Sequence, residues 1–329
     1  MPCPGRRCGP RTARAGSAAE LAGRMTAMRS FDDLAERART RPPLRLVVAG
    51  GEAAEIATAV QELVERGLVA QVVLTGDPGI MADLFPSPLS AEITFRAAGD
   101  AASCASAAVA VIREGQGDVL MKGHIDSTSY LRAVVNRETG LRRGKVLSNV
   151  TVAEMPSLGR LIAATDNGIL PAPEREQKRQ IVLNTTPLFR GLGIAPVRVA
   201  VVCATEKVSD ALPATGDAAA LARECAEGAF DGFEIGGPMG YDVAVSTEAA
   251  QVKGLARMPA AGAADLLLFP NIDAANAVAK AWKFHGQART GSIVLGAQVP
   301  VLLNSRSDTA ARRVNGLLLA AAVLEGGQG

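Results

Sequence analysis

The sequence is poor in the side chains that build metal and disulfide sites. It contains two histidines, His124 and His285, and none of its five cysteines forms a close CxxC pair. A structural zinc site and a disulfide framework are therefore disfavoured, and we expect no metal. Because disulfides are not expected, the reducing cytoplasm is the compartment that fits best. No apolar run approaches the roughly 18–20 residues that a membrane-spanning helix needs, so we expect no membrane partner.

The chain also lacks aromatic residues and a strong charge of either sign. Aromatics make up 3% of the sequence and hydrophobic residues 48%, so the core must depend on Ala, Val, Leu and Ile. The formal net charge of +2 conceals an uneven distribution, since residues 1–30 carry six Arg and one Glu. The rest of the chain is mildly acidic, which argues against a nucleic-acid partner.

Several common catalytic motifs are missing as well. The sequence contains no GxGxxG or Walker loop, so a nucleotide cofactor site is poorly supported. It has no GxSxG elbow, no HExxH and no histidine-centred triad, which disfavours covalent acyl-enzyme chemistry. The remaining inventory suits direct transfer between two bound substrates by positioning and charge stabilisation.

What is present is an alternation of strand and helix patterns. We predict strands over 44–49, 71–75, 93–95, 118–121, 160–165, 197–203, 265–270 and 300–304, and helices over 52–66, 101–114, 174–190, 217–227 and 271–283 and from 310 onward. Residues 235–240 are rich in Gly and Pro and are predicted to form a loop. This alternation indicates an α/β fold with a mostly parallel sheet and helices on both faces. Residues 1–24, rich in Gly, Pro, Ala and Arg, are predicted to be a disordered tail.

The stretch from Pro300 to Thr309 combines a short buried strand with a helix start. Ser305 and Arg306 follow the strand directly, and Ser307 or Asp308 is the predicted N-cap of the next helix. A cation, a hydroxyl and unpaired helix amides at one place favour a phosphate site. The alternative is an ordinary strand–helix turn with a solvated arginine.

A second stretch repeats this design earlier in the chain. Lys122 and Gly123 end a predicted strand, Ser127 and Thr128 open a helix, and Arg132 follows on it. Lys122 at the carboxyl end of a parallel strand would point into the crevice where open α/β sheets bind ligands. A surface lysine and a solvated helix face are the alternatives for Lys122 and Arg132.

Further polar residues follow other predicted strands. These additional substrate-binding candidates are Thr165, Asp166, Gly237, Pro238 and Asp242. They are candidates because the carboxyl ends of parallel strands carry most ligand contacts in such folds.

Taken together, these stretches resemble the phosphate acetyl/butyryltransferase family. The similarity begins near Phe31 and is carried by six blocks in the family's order: Met121 to Arg132, Gly140 to Lys145, Gly237 to Gly254, Ala264 to Ile272, Gly291 to Gly296 and Pro300 to Asp308. The Lys-Gly and Ser-Arg-x-Asp forms look more like the phosphate butyryltransferase branch than the acetyltransferase branch.

The resemblance implies a two-domain fold related to the isocitrate/isopropylmalate dehydrogenases. Domain I would comprise 25–147 plus 291–329 and domain II 148–290, with the active site in the cleft and at least a homodimer as the assembly. The implied reaction is acyl-CoA + phosphate ⇌ acyl phosphate + CoA, with butyryl or acetyl transferred directly in a ternary complex. Coenzyme A would be a substrate, and no bound cofactor would be needed.

The resemblance also implies roles for single residues. Arg132 and Arg306 would anchor the phosphate or acyl phosphate, and Ser305 would be a positioning hydroxyl. The acetyltransferase branch has an aspartate, thought to deprotonate the CoA thiol, where this chain has Arg312. Asp308 is the nearest carboxylate and the remaining candidate base. A thiol with a pKa of about 8.5 needs little help near neutrality if cations stabilise its thiolate.

Two other functions remain open on the sequence alone. A decarboxylating dehydrogenase of the same fold would need a metal-binding set of aspartates and a nucleotide loop. A non-catalytic or regulatory ligand-binding relative would be consistent with the missing acidic residue at Arg312.

Overall fold

The computed structural model describes residues 27–86, 90–144, 146–305 and 308–327. The predicted disordered tail over 1–24 therefore lies outside the described residues. The helices are α1 Phe31–Arg39, α2 Ala54–Glu65, α3 Pro78–Leu84, α4 Ala101–Arg113, α5 Ser127–Val135, α6 Arg175–Asn184, α7 Thr186–Gly191, α8 Pro213–Ala226, α9 Tyr241–Val245, α10 Thr247–Val252, α11 Ile272–Phe284 and α12 Ala310–Gly326. The strands are β1 Leu44–Ala49, β2 Val69–Gly76, β3 Glu92–Ala97, β4 Val119–Lys122, β5 Ser148–Met155, β6 Arg160–Thr165, β7 Val197–Val202, β8 Phe233–Met239, β9 Leu266–Leu268, β10 Arg289–Leu295 and β11 Val301–Leu302.

The described strands form a single eleven-stranded sheet in the order β3-β2-β1-β4-β11-β10-β5-β6-β9-β7-β8. The first five strands in this order are parallel to one another, and so are the last four. Between them, β10 and β5 make three antiparallel pairings, to β11, to each other and to β6. The predicted mostly parallel sheet is confirmed. An odd number of reversals also means that its two parallel halves run in opposite directions.

Helices cover both faces of the sheet, as predicted. In β1, Leu46 and Val48 belong to the same apolar cluster as Ile56 of α2, whereas Val47 packs in a different cluster with Ala108 of α4. Successive side chains of a strand point to opposite faces, so these two clusters mark the two sides of the sheet. None of the described helices is long and apolar enough to cross a membrane.

The proposed division into two domains coincides with the change in strand direction. The strands of 25–147 and 291–329 precede β5 in the sheet order, and those of 148–290 follow from β5 onward, apart from the first two residues of β10. The sheet itself is continuous there, since Val294 of β10 pairs with both Asn149 and Val301. The division therefore stays a prediction.

Three strands were missed by the sequence patterns. β5 and β10 are buried but carry polar residues such as Thr151 and Ser292, whose hydroxyls bond each other at 2.8 Å, so neither strand reads as an apolar run. β8 contains Gly236, Gly237 and Pro238, which is a loop signal. Because β8 pairs with β7 alone and ends the sheet, it tolerates a proline.

The predicted single helix over 174–190 is also wrong, because the chain forms two helices there. α6 ends at Asn184, and α7 begins at Thr186 with Pro187 in its first turn. A proline cannot supply the amide hydrogen that would continue the earlier helix, and it suits the first turn of a new one. The helix predicted over 217–227 begins earlier, at Pro213, because a proline suits the first turn of a helix.

α7 and α12 pack unusually close to each other at two glycines. A methyl group on Gly191 would lie 1.9 Å from the carbonyl oxygen of Ala322, and one on Gly326 would lie 2.0 Å from that of Pro187. Both obstacles are backbone atoms, which cannot move aside without moving a helix. This crossing holds α12 against the rest of the molecule.

We therefore expect Gly191→Ala to lower the free energy of unfolding by about 1–3 kcal/mol, as overpacking does. Gly216→Ala is the matched control, because Gly216 is exposed in α8 and a methyl group there meets nothing within 4 Å. The control should stabilise by about 0.5–1 kcal/mol through helix propensity. Thermal unfolding of both variants measures the two effects, and equal shifts would contradict the close crossing.

Candidate active site

The turn between β4 and α5 is fixed by buried polar contacts. Lys122, the last residue of β4, is only 2% exposed, and its Nζ donates to the carbonyl oxygen of Ile125 at 2.8 Å. It is therefore not a surface lysine. A methyl group on Gly123 would lie 1.9 Å from the carbonyl oxygen of Gly50, so only glycine fits against the end of β1. The turn is thus held rigidly at the carboxyl edge of β4.

α5 begins directly after this turn, and hydrogen bonds attach its first turn to the sheet. Asp126 caps it by accepting from the backbone N–H of Ser129 at 2.8 Å. Ser127 and Thr128, the first two residues of the helix, are exposed at its start. The buried hydroxyl of Tyr130 donates towards the carbonyl oxygens of Leu120 and Leu302, at 3.2 and 3.3 Å, and burial raises its pKa well above the usual value. The helix start is therefore tied to both β4 and β11.

Arg132 lies in the second turn of α5, past the first-turn amides. Its side chain is exposed and makes no hydrogen bond or ion pair with any described residue. Such a cation is available to a ligand, and it is equally consistent with a solvated helix face. Its predicted role as a phosphate anchor stays a prediction.

The turn between β11 and α12 is closed by Asp308. Its Oδ2 accepts from the backbone N–H of Ser305 at 2.9 Å, and its own N–H donates to the carbonyl oxygen of Ser305 at 3.1 Å. The N-cap of α12 is Thr309, so the prediction of Asp308 or Ser307 as the cap is wrong. Asp308 is not the cap because its carboxylate is used inside the turn. Arg306 and Ser307 lie outside the described residues.

Lys283 is a site residue that the sequence did not indicate. It lies in the last turn of α11, and its Nζ donates to Oδ1 of Asp308 at 3.2 Å, with side chains only 14% and 5% exposed. Arg312 approaches the same oxygen at 3.8 Å. Both carboxylate oxygens of Asp308 are thus engaged, one by a backbone amide and one by cations. A lysine near a helix end carries no sequence signal for such a long-range pair.

α11 is itself held by the residue before Lys283. Trp282 is buried, and its indole Nε1 donates to the hydroxyl of Tyr241 at 2.9 Å. Because Tyr241 opens α9, this bond fixes the end of α11 relative to the β8–α9 connection. The contact therefore restrains the turn of α11 that carries Lys283.

The remaining predicted candidates lie elsewhere. Because β6 to β9 run opposite to β4 and β11, their carboxyl ends are at the opposite edge of the sheet. Thr165 donates to the carbonyl oxygen of Asn149 at 3.0 Å. The buried carboxylate of Asp166 accepts from four backbone amides, those of Asn149, Gly168, Ile169 and Leu170, at 2.9–3.1 Å, while burial raises its pKa. These contacts stabilise a loop. Thr165 and Asp166 therefore lie at the opposite end of the strands from Lys122 and Ser305.

The candidates on β8 and α9 take part in a different set of contacts. Gly237 and Pro238 lie within β8, at the far end of the sheet. Asp242 is exposed and pairs with Lys253 at 2.9 Å, and the hydrogen bond from Lys253 lowers its pKa. Lys253 also bonds Glu206 at 2.8 Å, so this is a surface ion-pair network. The structure therefore brings together only part of the predicted set.

Neither metal nor thiol chemistry finds support in the described part of the chain. No three His, Cys, Asp or Glu side chains come together there in a way that could hold a metal ion. Burial raises the pKa of Cys203 to about 11 and raises that of Cys104 and Cys225 as well, which keeps these thiols neutral. The functional groups that the structure places at the carboxyl ends of β4 and β11 are cations and helix N-termini.

Comparison with known proteins identifies the class that these features define. The family described as "Phosphate acetyl/butaryl transferase" matches residues 90–321, which include both turns. A phosphate butyryltransferase of Clostridium beijerinckii is 34% identical over 298 residues, covering 90% of this chain and 98% of that protein. A phosphate acetyltransferase of Rhizobium meliloti is 37% identical over 219 residues, covering 67% of this chain and 69% of that protein. The chain belongs to the phosphate acetyl/butyryltransferase family.

Solved structures agree with this assignment. A branched-chain phosphotransacylase from Enterococcus faecalis V583 superposes with a TM-score of 0.75 at 26% identity, covering 85% of this chain and 99% of that one. A phosphotransacetylase from Streptococcus pyogenes gives a TM-score of 0.72 at 19% identity, covering 90% and 99%, and so shares the fold. The predicted fold class and family are confirmed.

The Lys283–Asp308 pair should be strongly coupled. Asp308→Asn leaves the largely buried Lys283 without its counter-charge, and breaking such a pair costs up to about 3–5 kcal/mol. Adding Lys283→Met removes the stranded charge, so the double variant should be more stable than the sum of the single effects by about 1–3 kcal/mol. Denaturant unfolding of the four proteins measures this coupling. The exposed Arg66–Glu62 pair is the control and should show about 0.5 kcal/mol or less; strictly additive effects for Lys283 and Asp308 would contradict the pairing.

Proposed function

We propose that the protein catalyses the reversible transfer of a short acyl group between coenzyme A and phosphate. The observation that carries the proposal is that the family match spans both turns at the carboxyl edge of β4 and β11, where the described cations lie. In the forward direction a phosphate oxygen attacks the thioester carbonyl. The new C–O bond forms, the C–S bond breaks and CoA leaves as the thiolate, which then takes up a proton. No acyl-enzyme is required.

Both turns contribute groups that bind the phosphate and stabilise negative charge. The first turns of α5 and α12 offer backbone amides, and Lys122 adds a buried positive charge in the β4–α5 turn. Arg132 and Arg306 anchor the phosphate, and the Ser305 hydroxyl positions the reacting group. Fixed donors of this kind stabilise the negative charge that develops on the carbonyl oxygen and on the departing sulfur.

Asp308 keeps the Ser305 turn in shape and holds Lys283, and it is not the base in this proposal. Both of its oxygens already accept from other groups and its side chain is only 5% exposed, so little of the carboxylate is open to the CoA thiol. With a thiol pKa of about 8.5 and several cations nearby, the thiolate is accessible without a dedicated base.

Butyryl is our first choice of acyl group and acetyl the second. Similarity to the Clostridium butyryltransferase extends over 98% of that protein, whereas similarity to the Rhizobium acetyltransferase extends over 69% of it. We also propose a cytoplasmic homodimer or higher homo-oligomer, with coenzyme A and phosphate as its partners and the active site in the cleft between domains I and II.

Arg132→Ala and Arg306→Ala should each lower kcat/KM for phosphate-dependent CoA release on the order of 10²-fold or more, because a charge-assisted donor to the transition state is lost. Arg113→Ala, at the exposed end of α4, is the matched control and should retain the parent rate. Initial rates with acetyl-, propionyl- and butyryl-CoA give the measurement and the acyl preference together. Near-parental turnover of the Arg306 variant would refute the assignment.

The role of Asp308 can be separated from that of a base by pH. In Asp308→Asn the rate of acyl-phosphate consumption should change by the same factor from about pH 6.5 to pH 8.5, since the variant alters the turn and not a proton transfer. The pH–rate profile per folded enzyme is the measurement. A loss concentrated at low pH, with recovery towards the pKa of the thiol, would instead identify Asp308 as the base.

A further inference from the structure

A second buried cation lies beneath the Lys122 turn, on α12. Arg313 is in the first turns of α12 and is 2% exposed. Its Nη1 donates to the carbonyl oxygen of Lys122 at 3.4 Å, and its Nε has no partner. Side chains of a helix lean towards its N-terminus, so the guanidinium is directed to the same end as the free first-turn amides.

No described carboxylate neutralises this guanidinium. None lies within 4.0 Å of it, and the acids that act on it from farther away are Asp308 and Glu55. Asp308 is already shared by Lys283 and Arg312, and Glu55 pairs with His124 at 3.1 Å. Burial accordingly lowers the pKa of Arg313. Counting Lys122, this edge holds more buried positive than negative charge.

A structural role alone is a poor explanation for this arrangement. The only described bond of Arg313 is long, near the limit for a hydrogen bond, and its acceptor is an uncharged carbonyl. Burying a cation for so little compensation costs stability, and a neutral side chain of similar size would pack there more favourably. An unpaired, buried and charged donor indicates a ligand that completes it.

We propose that Arg313 is a positioning residue for the phosphate substrate, its buried positive charge being neutralised when a phosphate group occupies the crevice above the Lys122 and Ser305 turns. The proposal rests on the proposed function and adds to it a residue beyond Arg132, Ser305 and Arg306. It follows that the uncompensated charge of Arg313 lowers the free energy of unfolding of the protein without phosphate. Bound phosphate removes this cost, so the protein gains affinity for phosphate at the expense of its own stability.

The test measures binding of inorganic phosphate by calorimetry, together with the thermal midpoint of the empty protein. Arg313→Met should weaken phosphate binding on the order of 10- to 100-fold, as loss of a charged donor does. Its empty form should melt at or above the parent temperature, because an uncompensated charge has been removed. Arg313→Lys keeps the charge but not the guanidinium geometry, so it should retain more of the parent affinity than Arg313→Met does. In turnover, KM for phosphate should rise while KM for acyl-CoA stays at the parent value.

Controls separate this role from its alternatives. Arg113→Met removes one distant cation and should leave phosphate affinity unchanged. A lower melting temperature of Arg313→Met with unchanged phosphate affinity would overturn the proposal in favour of a structural role. Weakened binding confined to adenosine 3′,5′-bisphosphate, a probe for the phosphates of CoA, would also overturn it. Arg313→Gln serves the same comparison if the methionine variant does not fold.

These experiments can refute the proposed function and the role of Arg313 independently of each other. If the parent protein binds phosphate through Arg313 but releases no CoA from any acyl-CoA, the proposed function fails and the inference stands. If acyl transfer proceeds and Arg313→Met binds phosphate as the parent does, the inference fails and the function stands.

Discussion

The pairing of β11 with β4 is the contact on which the rest of the site depends. Leu302 lies beside Met121 in a parallel ladder, so two turns that are far apart in sequence leave the sheet at neighbouring points of one edge. β11 has only two residues, and its own hydrogen bonds are few. Its position is secured from outside, by the Tyr130 hydroxyl that bonds the carbonyls of both strands and by α12, which is held in place where it crosses α7. Distant packing thus determines where the cations meet.

The site is more cationic than its stability alone would favour. Asp308 serves as counter-charge for Lys283 and Arg312 and also supports the Ser305 turn, while Arg313 has no described carboxylate within 4.0 Å. Proteins retain such arrangements where an anion is to be bound, because a fully paired cation would have to exchange one partner for another. An edge that is incompletely neutralised when empty is suited to two substrates that both carry phosphate groups.

The sequence predicted the parts of this arrangement that are local. β1 and β7 are apolar runs with turn residues beside them, and Lys122 and Ser305 directly follow such runs, so both the strands and the polar turns were recognisable. β5 and β10 were missed because Thr151 and Ser292 satisfy each other across the sheet, a pairing that no single stretch reveals. Lys283 and Arg313 were missed for the same reason. Each resembles a solvated helix residue until a partner from another element, Asp308 or the Lys122 carbonyl, is placed beside it.

The contact of Trp282 with Tyr241 has a practical consequence of its own. The chain contains one tryptophan, and it immediately precedes Lys283 at the end of α11. Indole emission responds to the polarity and hydrogen bonding of its surroundings, so the whole tryptophan fluorescence of this protein originates one residue away from the Asp308 ion pair. Any movement of α11 that accompanies ligand binding would therefore change the emission of a single tryptophan, which can be followed without a label and without assigning signals among several tryptophans.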